Sequence, residues 1–186
     1  MNKFENIWST PFGQYFLEDA ALQHYIIELI NRPVGNIGNT FDFLEDADKS
    51  HPFIKWLYTC AEDYLSKFYP NHGEIEIQRA WVSTQLYGDN NDLHSHNPVD
   101  FVGVYYINCE PDHPELIILD PRPPHWFNEV KITDKYGITH DGSRHISVKP
   151  EPYKLIMFPG YLMHGVGINM SQIPRHALAV NFKIKR

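Results

Sequence analysis

From Glu74 onward the chain loses the three-to-four spacing of a helix and starts to alternate. Glu74, Glu76 and Gln78 flank Ile75 and Ile77, and Trp81-Val82-Ser83-Thr84-Gln85-Leu86-Tyr87 carries the strand character forward. A period of two sends successive side chains to opposite faces of a sheet, so a strand with one buried face is expected here. Shorter apolar runs recur at residues 101–107, 114–119, 153–158 and 176–184, separated by Gly, Pro, Asn and Asp. Many short strands broken by such turns have the pattern of a jelly roll.

Before that switch the pattern is helical. Leu22, Tyr25, Ile26, Leu29 and Ile30 form the stripe of a half-buried helix over residues 18–31, which Arg32-Pro33 ends. A second helix is expected after Ser50, which can cap it, with Pro52 in its first turn. Phe53, Leu57, Cys60, Ala61, Tyr64, Leu65 and Phe68 would be its inner face, and Tyr69-Pro70-Asn71-His72-Gly73 its stop. Residues 1–16 are rich in apolar side chains and read as an edge strand. The length of 186 residues fits one domain that buries roughly 70% of its unfolded surface. The expected organisation is a single domain, 1–186, in which a mostly helical support at 1–73 carries a β core at 74–186.

The chemistry-bearing residues fall within the β core. His94 and His96 are separated by one residue and can turn toward one point on an extended or turning chain. A third ligand is supplied by His164, which follows the apolar run Leu155-Ile156-Met157-Phe158 and the turn Pro159-Gly160. Three protein ligands leave positions open on a metal, the arrangement of a catalytic site. Arg175 follows His164 by eleven residues, just ahead of the final strand.

Taken in order, His94-Ser95-His96-Asn97-Pro98, Gly103-Val104-Tyr105-Tyr106-Ile107-Asn108, Asp120-Pro121-Arg122 and Phe158-Pro159-Gly160 with His164 and Arg175 resemble the 2-oxoglutarate- and Fe(II)-dependent oxygenases, those of bacteria and phages in particular. The resemblance spans about residues 74–186. It implies a double-stranded β-helix of the cupin-like kind, Fe(II) as metal and 2-oxoglutarate as co-substrate. It makes His94 and His164 iron ligands and gives Arg175 the far carboxylate of 2-oxoglutarate, with Tyr106 as a second contact. Of the adjacent tyrosines only one can point inward, because Val102, Val104 and Tyr106 share one face and Gly103, Tyr105 and Ile107 the other. By the same resemblance Gln85 and Tyr87, on the strand before the first ligand, are candidate pocket residues.

The chain departs from the family at His96, where Asp or Glu is usual. Three readings follow: His96 is a third neutral ligand, Asp100 turns in as the carboxylate, or the iron keeps one more open position. We adopt the first as the expectation, since Asp100 stands nearly in the next strand and acids are mostly exposed.

The activity so implied is oxidative decarboxylation of 2-oxoglutarate with molecular oxygen, coupled to hydroxylation of a small-molecule or peptide substrate. The rival readings are a three-histidine cupin-type dioxygenase that does without 2-oxoglutarate, and a non-catalytic jelly-roll module that binds a sugar or peptide. The long polar and aromatic connection at residues 125–150 is expected to be a substrate lid. Sixteen basic and 23 acidic residues give a net charge of -7, which argues against a nucleic-acid partner. Cys60 and Cys109 are too few and too distant for a disulfide framework, which points to a reducing, cytoplasmic setting. No apolar run approaches the ~20 residues that span a bilayer, so no membrane partner is expected.

Overall fold

The computed structural model describes residues 10–30, 40–42, 50–121, 132–133, 139–141 and 145–185. Strand β1 (Gly13–Phe16) leads into helix α1 (Ala20–Ile30), then β2 (Thr40–Asp42) and helix α2 (Pro52–Phe68). Ten strands follow: β3 (Ile75–Gln85), β4 (Asn91–His94), β5 (Phe101–Asn108), β6 (Leu116–Leu119), β7 (Ile132–Thr133), β8 (Thr139–Asp141), β9 (His145–Val148), β10 (Lys154–Pro159), β11 (His164–Val166) and β12 (Arg175–Ile184). Among the described residues they form two antiparallel six-stranded sheets, one ordered β1-β10-β5-β12-β3-β2 and the other β4-β11-β6-β9-β8-β7. The expected mainly β jelly roll with supporting helices is what the chain adopts.

The N-terminal part contributes more than helices. Its strand β1 pairs with β10 at one edge of the first sheet, the larger by its longer strands, as expected of the apolar opening, whose residues 1–9 lie outside the described residues, and β2 pairs with β3 at the other edge. Helix α1 starts on Asp19, whose Oδ1 accepts from the backbone N–H of Ala21 at 2.9 Å and of Leu22 at 3.2 Å. The cap of α2 corrects the sequence reading. It is His51 and not Ser50, with Nδ1 accepting from Phe53 N at 3.2 Å and Pro52 in the first turn.

Alternation divides the core in two. Phe101, Tyr105, Ile107, Leu155, Met157, Leu178, Val180 and Phe182 pack toward the helices with Phe53, Leu57 and Tyr64 of α2. Their neighbours in the same strands, Val102, Tyr106, Ile156, Phe158 and Ala177, turn the other way and meet Leu116, Ile118 and Val148 of the second sheet. A slip of one residue in any of these strands would exchange the helix-facing core with the space between the sheets. Tyr106, as the alternation and the resemblance together predict, faces between the sheets, whereas Tyr105 packs edge-on against Phe53 at 5.3 Å.

The connection expected as a lid is in part something else. Within 125–150, residues 125–131, 134–138 and 142–144 lie outside the described residues, and the lid reading for them lies there too. The described parts are β7, β8 and β9, and β9 pairs along its whole length with β6 to extend the second sheet. No helix among the described residues is long and apolar enough to cross a membrane.

Phe53 is fully buried at the contact of α2 with the larger sheet. Phe53→Ala is expected to lower the unfolding free energy by about 3–5 kcal/mol in urea denaturation. A loss below about 1 kcal/mol would mean that the helix does not depend on this contact.

Candidate metal centre

Strand pairing brings two of the histidines face to face. His164 opens β11 and stands directly opposite His94, the last residue of β4, so their ring centroids lie 4.5 Å apart. The third comes from the loop after β4. That loop is pinned to the turn after β10, because His96 N donates to Gly160 O at 2.9 Å and Gly160 N donates to Asp100 O at 3.1 Å. Gly160 is required there, since a Cβ would come within 2.5 Å of Val99 O. The His96 centroid then lies 5.0 Å from that of His94 and 5.1 Å from that of His164.

Hydrogen bonding decides which nitrogen of each ring faces the others. His94 Nδ1 lies 2.7 Å from Asp92 O, His164 Nδ1 lies 2.9 Å from Leu162 O, and His96 Nδ1 lies 2.6 Å from Asn181 Oδ1. Each partner is a carbonyl oxygen, which only accepts, so each Nδ1 carries the proton and each Nε2 is left with a lone pair. One ligand atom from each ring falls within 4.8 Å of the others, and His94 Nε2 is 3.1 Å from His96 Nε2. Two unprotonated nitrogens at that distance do not form a hydrogen bond. A cation shared by the three nitrogens satisfies them all.

The environment favours the neutral form of two of the rings. Burial, together with the neighbouring histidines, holds His164 down at about 4 against the raising effect of its backbone hydrogen bond. Burial also lowers His96, partly offset by Asn181. Neutral imidazole suits a first-row metal, and the donor set fits iron. The rival ligand does not reach the cluster. Asp100 Oδ2 accepts from Ile184 N at 2.8 Å and lies 3.6 Å from Lys183 Nζ, which turns that carboxylate outward.

A cavity of about 160 Å³ runs from the histidines to Arg175 between the sheets. The register of β3 with β12 builds its floor, with Gln85 opposite Arg175, Ser83 opposite Ala177 and Trp81 opposite Ala179. The two alanines leave the space that larger residues would fill. Val102, Val104 and Leu116 line the cavity with apolar surface.

Arg175 is only 1% exposed, and among the described residues it has no acidic partner. Its Nη1 donates to Gln85 Oε1 at 2.8 Å, and its guanidinium lies 5.2 Å from the Tyr106 ring. Arg175 Nε and Nη2, Gln85 Nε2 and the Tyr106 hydroxyl are buried and lack a hydrogen-bond partner among the described residues. Burial pushes Tyr106 up to about 12, with the Arg175 charge offsetting part of the shift, so the hydroxyl remains a donor. Unspent buried donors of this kind are costly, and they suit a ligand with a carboxylate.

Of the residues singled out in the sequence, the structure gathers His94, His96 and His164 at one end and Arg175, Tyr106 and Gln85 at the other. It does not bring in Tyr87, which is 55% exposed on the turn after β3. The strand stops at Gln85, so the alternation that would have set residue 87 on the same face is broken. Trp81, Ser83 and Asn181 were missed. The first two share the i, i+2 face of Gln85, and Asn181 is an amide within the apolar run from Ala177 to Phe182.

A profile of the family described as "Putative 2OG-Fe(II) oxygenase" matches residues 79–181. Among solved structures the chain is similar to a prolyl-4-hydroxylase from Pseudomonas putida, at 14% identity over 96% of this chain and 90% of that one, with a TM-score of 0.62. It is also similar to HygX from Streptomyces hygroscopicus with nickel and 2-oxoglutarate bound, at 11% identity over 93% of this chain and 82% of that one, with a TM-score of 0.60. A third is SnoN, the non-heme alpha ketoglutarate dependent epimerase from nogalamycin biosynthesis, at 9% identity over 94% and 78% of the two chains and a TM-score of 0.62. At these identities the likeness is one of fold. No curated protein matches the chain.

A buried guanidinium with unpaired N–H groups is a burden to the ligand-free protein. Replacing it with its partner by apolar residues, Arg175→Met with Gln85→Leu, is expected to leave stability unchanged or to raise it by about 1–4 kcal/mol in chemical denaturation without 2-oxoglutarate. A loss of more than about 2 kcal/mol would make the pair structural.

Proposed function

The chain belongs to the 2OG-Fe(II) oxygenase family, with Fe(II) and 2-oxoglutarate as its cofactors, and from that premise we propose that His94, His96 and His164 hold the iron while Arg175 holds the co-substrate. The observation that carries this reading is the convergence of three Nε2 lone pairs, each fixed by an acceptor at Nδ1. Arg175 uses Nε–H and Nη2–H on the far carboxylate of 2-oxoglutarate, a two-pronged charge-assisted contact, and Gln85 keeps the guanidinium plane in place through Nη1. Tyr106 adds its hydroxyl, and Gln85 its Nε2.

The bound iron supplies the redox chemistry that couples loss of carbon dioxide from 2-oxoglutarate, leaving succinate, to oxidation of a second substrate by molecular oxygen. The chain's own part is to bind, orient and exclude water. Val102, Val104, Leu116 and the two floor alanines keep the cavity apolar between the metal-facing nitrogens and the guanidinium. The small cavity fits the co-substrate, so the prime substrate, a small molecule or a peptide side chain that ends hydroxylated, approaches from the open side where His94 is exposed. All 186 residues serve as one domain in this reading, with residues 1–73 supporting the core.

Arg175 counts against a dioxygenase without 2-oxoglutarate, which has no use for a buried guanidinium with unspent donors, and succinate release coupled to a substrate would exclude a binding module. Anaerobic titration with Fe(II) and 2-oxoglutarate is expected to produce a metal-to-ligand charge-transfer band, and succinate should form when oxygen and a substrate pool are added. Arg175→Ala should weaken 2-oxoglutarate by at least roughly thirtyfold, as loss of a buried charge contact costs about 2–5 kcal/mol, and leave metal affinity unchanged. Absence of the band, or unchanged 2-oxoglutarate affinity in Arg175→Ala, would contradict the assignment.

A further inference from the structure

The three rings are not supported alike. For His94 and His164 the acceptor at Nδ1 is a backbone carbonyl, which no substitution of that residue removes. For His96 it is a side chain, Asn181 Oδ1, from the middle of the larger sheet. His96 is also covered on one face: the Trp81 ring lies 5.6 Å away and nearly parallel, at 16°. The Arg79 guanidinium in turn lies 5.0 Å from the Trp81 ring. These supports come from adjacent strands in register, with Arg79 opposite Asn181 and Trp81 opposite Ala179.

A flat aromatic face and an amide oxygen close to a ring nitrogen are complementary to an imidazole protonated at Nδ1. A carboxylate in place of that ring is shorter and offers no face to Trp81, and Asn181 would have to turn its amide over to donate to it from Nδ2. The amide is neutral as well, so it orients the ring without adding negative charge beside it. Among the described residues the donor cluster therefore contains no carboxylate, and Asn181, the one side chain that orients a donor ring, brings none either.

We propose that Asn181 and Trp81 are positioning residues that commit position 96 to a neutral histidine, so that departure from the usual carboxylate is built into the sheet beneath the site. The proposal rests on the reading that His94, His96 and His164 hold the metal. Its consequence is a site with one more positive charge than the carboxylate version, set by residues on β3 and β12.

Cobalt(II) titration of the purified 186-residue chain, followed through the visible ligand-field bands, tests this without turnover. Asn181→Leu, close in size but without an acceptor, is expected to weaken Co(II) by about 10–100-fold and to shift the bands. Asn181→Asp keeps an acceptor in place and should bind within about threefold of the wild type. His96→Asp restores the usual donor set, yet it should bind more weakly than the wild type because its supports are shaped for a ring. Circular dichroism and thermal midpoints check that each variant is folded, and the last two variants keep the test open if Asn181→Leu is not. His164→Ala should lose Co(II); wild-type binding by that variant overturns the metal reading and this proposal with it. Loss in His164→Ala combined with wild-type affinity and bands in Asn181→Leu, or with wild-type affinity in His96→Asp, overturns the proposal alone.

Discussion

Three imidazole lone pairs directed at one point repel one another, and the rest of the fold can be understood from what it takes to hold them there. The pairing of β4 with β11 sets His94 opposite His164, and the pinned loop after β4 adds His96. Carbonyl oxygens behind each ring fix the tautomer, and burial keeps His164 and His96 unprotonated. Rings left free to turn or to take up protons would relieve the repulsion. The carbonyl oxygens oppose the turning and burial opposes protonation of His96 and His164, which is a cost to the folded chain in the absence of a metal ion and an advantage in its presence.

The opposite end of the cavity follows the same economy. Arg175 is among the largest fully buried side chains, and its only hydrogen-bond partner among the described residues is an amide. In water the guanidinium would be better solvated, so its place between the sheets is costly to the ligand-free chain and fits the dicarboxylate contact proposed for it. The helices supply the compensating stability from the other side of the same sheet. Strands β5, β10 and β12 carry one set of residues into the helix-facing core and the alternate set into the cavity, so the scaffold and the site share a single register.

That sharing explains how much could be read in advance. The alternation of residues 101–107 places Tyr106 between the sheets and Tyr105 under the helices, as strand geometry alone requires. The stripe from Phe53 to Leu65 is a helix for an equally local reason. The histidines, Arg175 and Gln85 were legible as residue types in a family order. Tyr87 was misjudged because sequence does not mark where a strand stops pairing, and Ser50 because His51 caps as well as a serine does when its ring nitrogen is the acceptor. Asn181 and Trp81 were invisible as site residues, since their role depends on how β12, β3 and the loop after β4 meet across long stretches of chain. Asn91 on β4 lines the cavity for the same non-local reason.

The identity of the donors at the proposed metal site decides more than any rate or substrate does. X-ray absorption at the iron edge of the anaerobic Fe(II)-loaded protein counts imidazole ligands through their multiple scattering. A fit with three imidazoles and no protein carboxylate is expected, reduced to two imidazoles in His96→Ala. A fit with two imidazoles and a protein carboxylate in the unmodified chain would contradict that expectation.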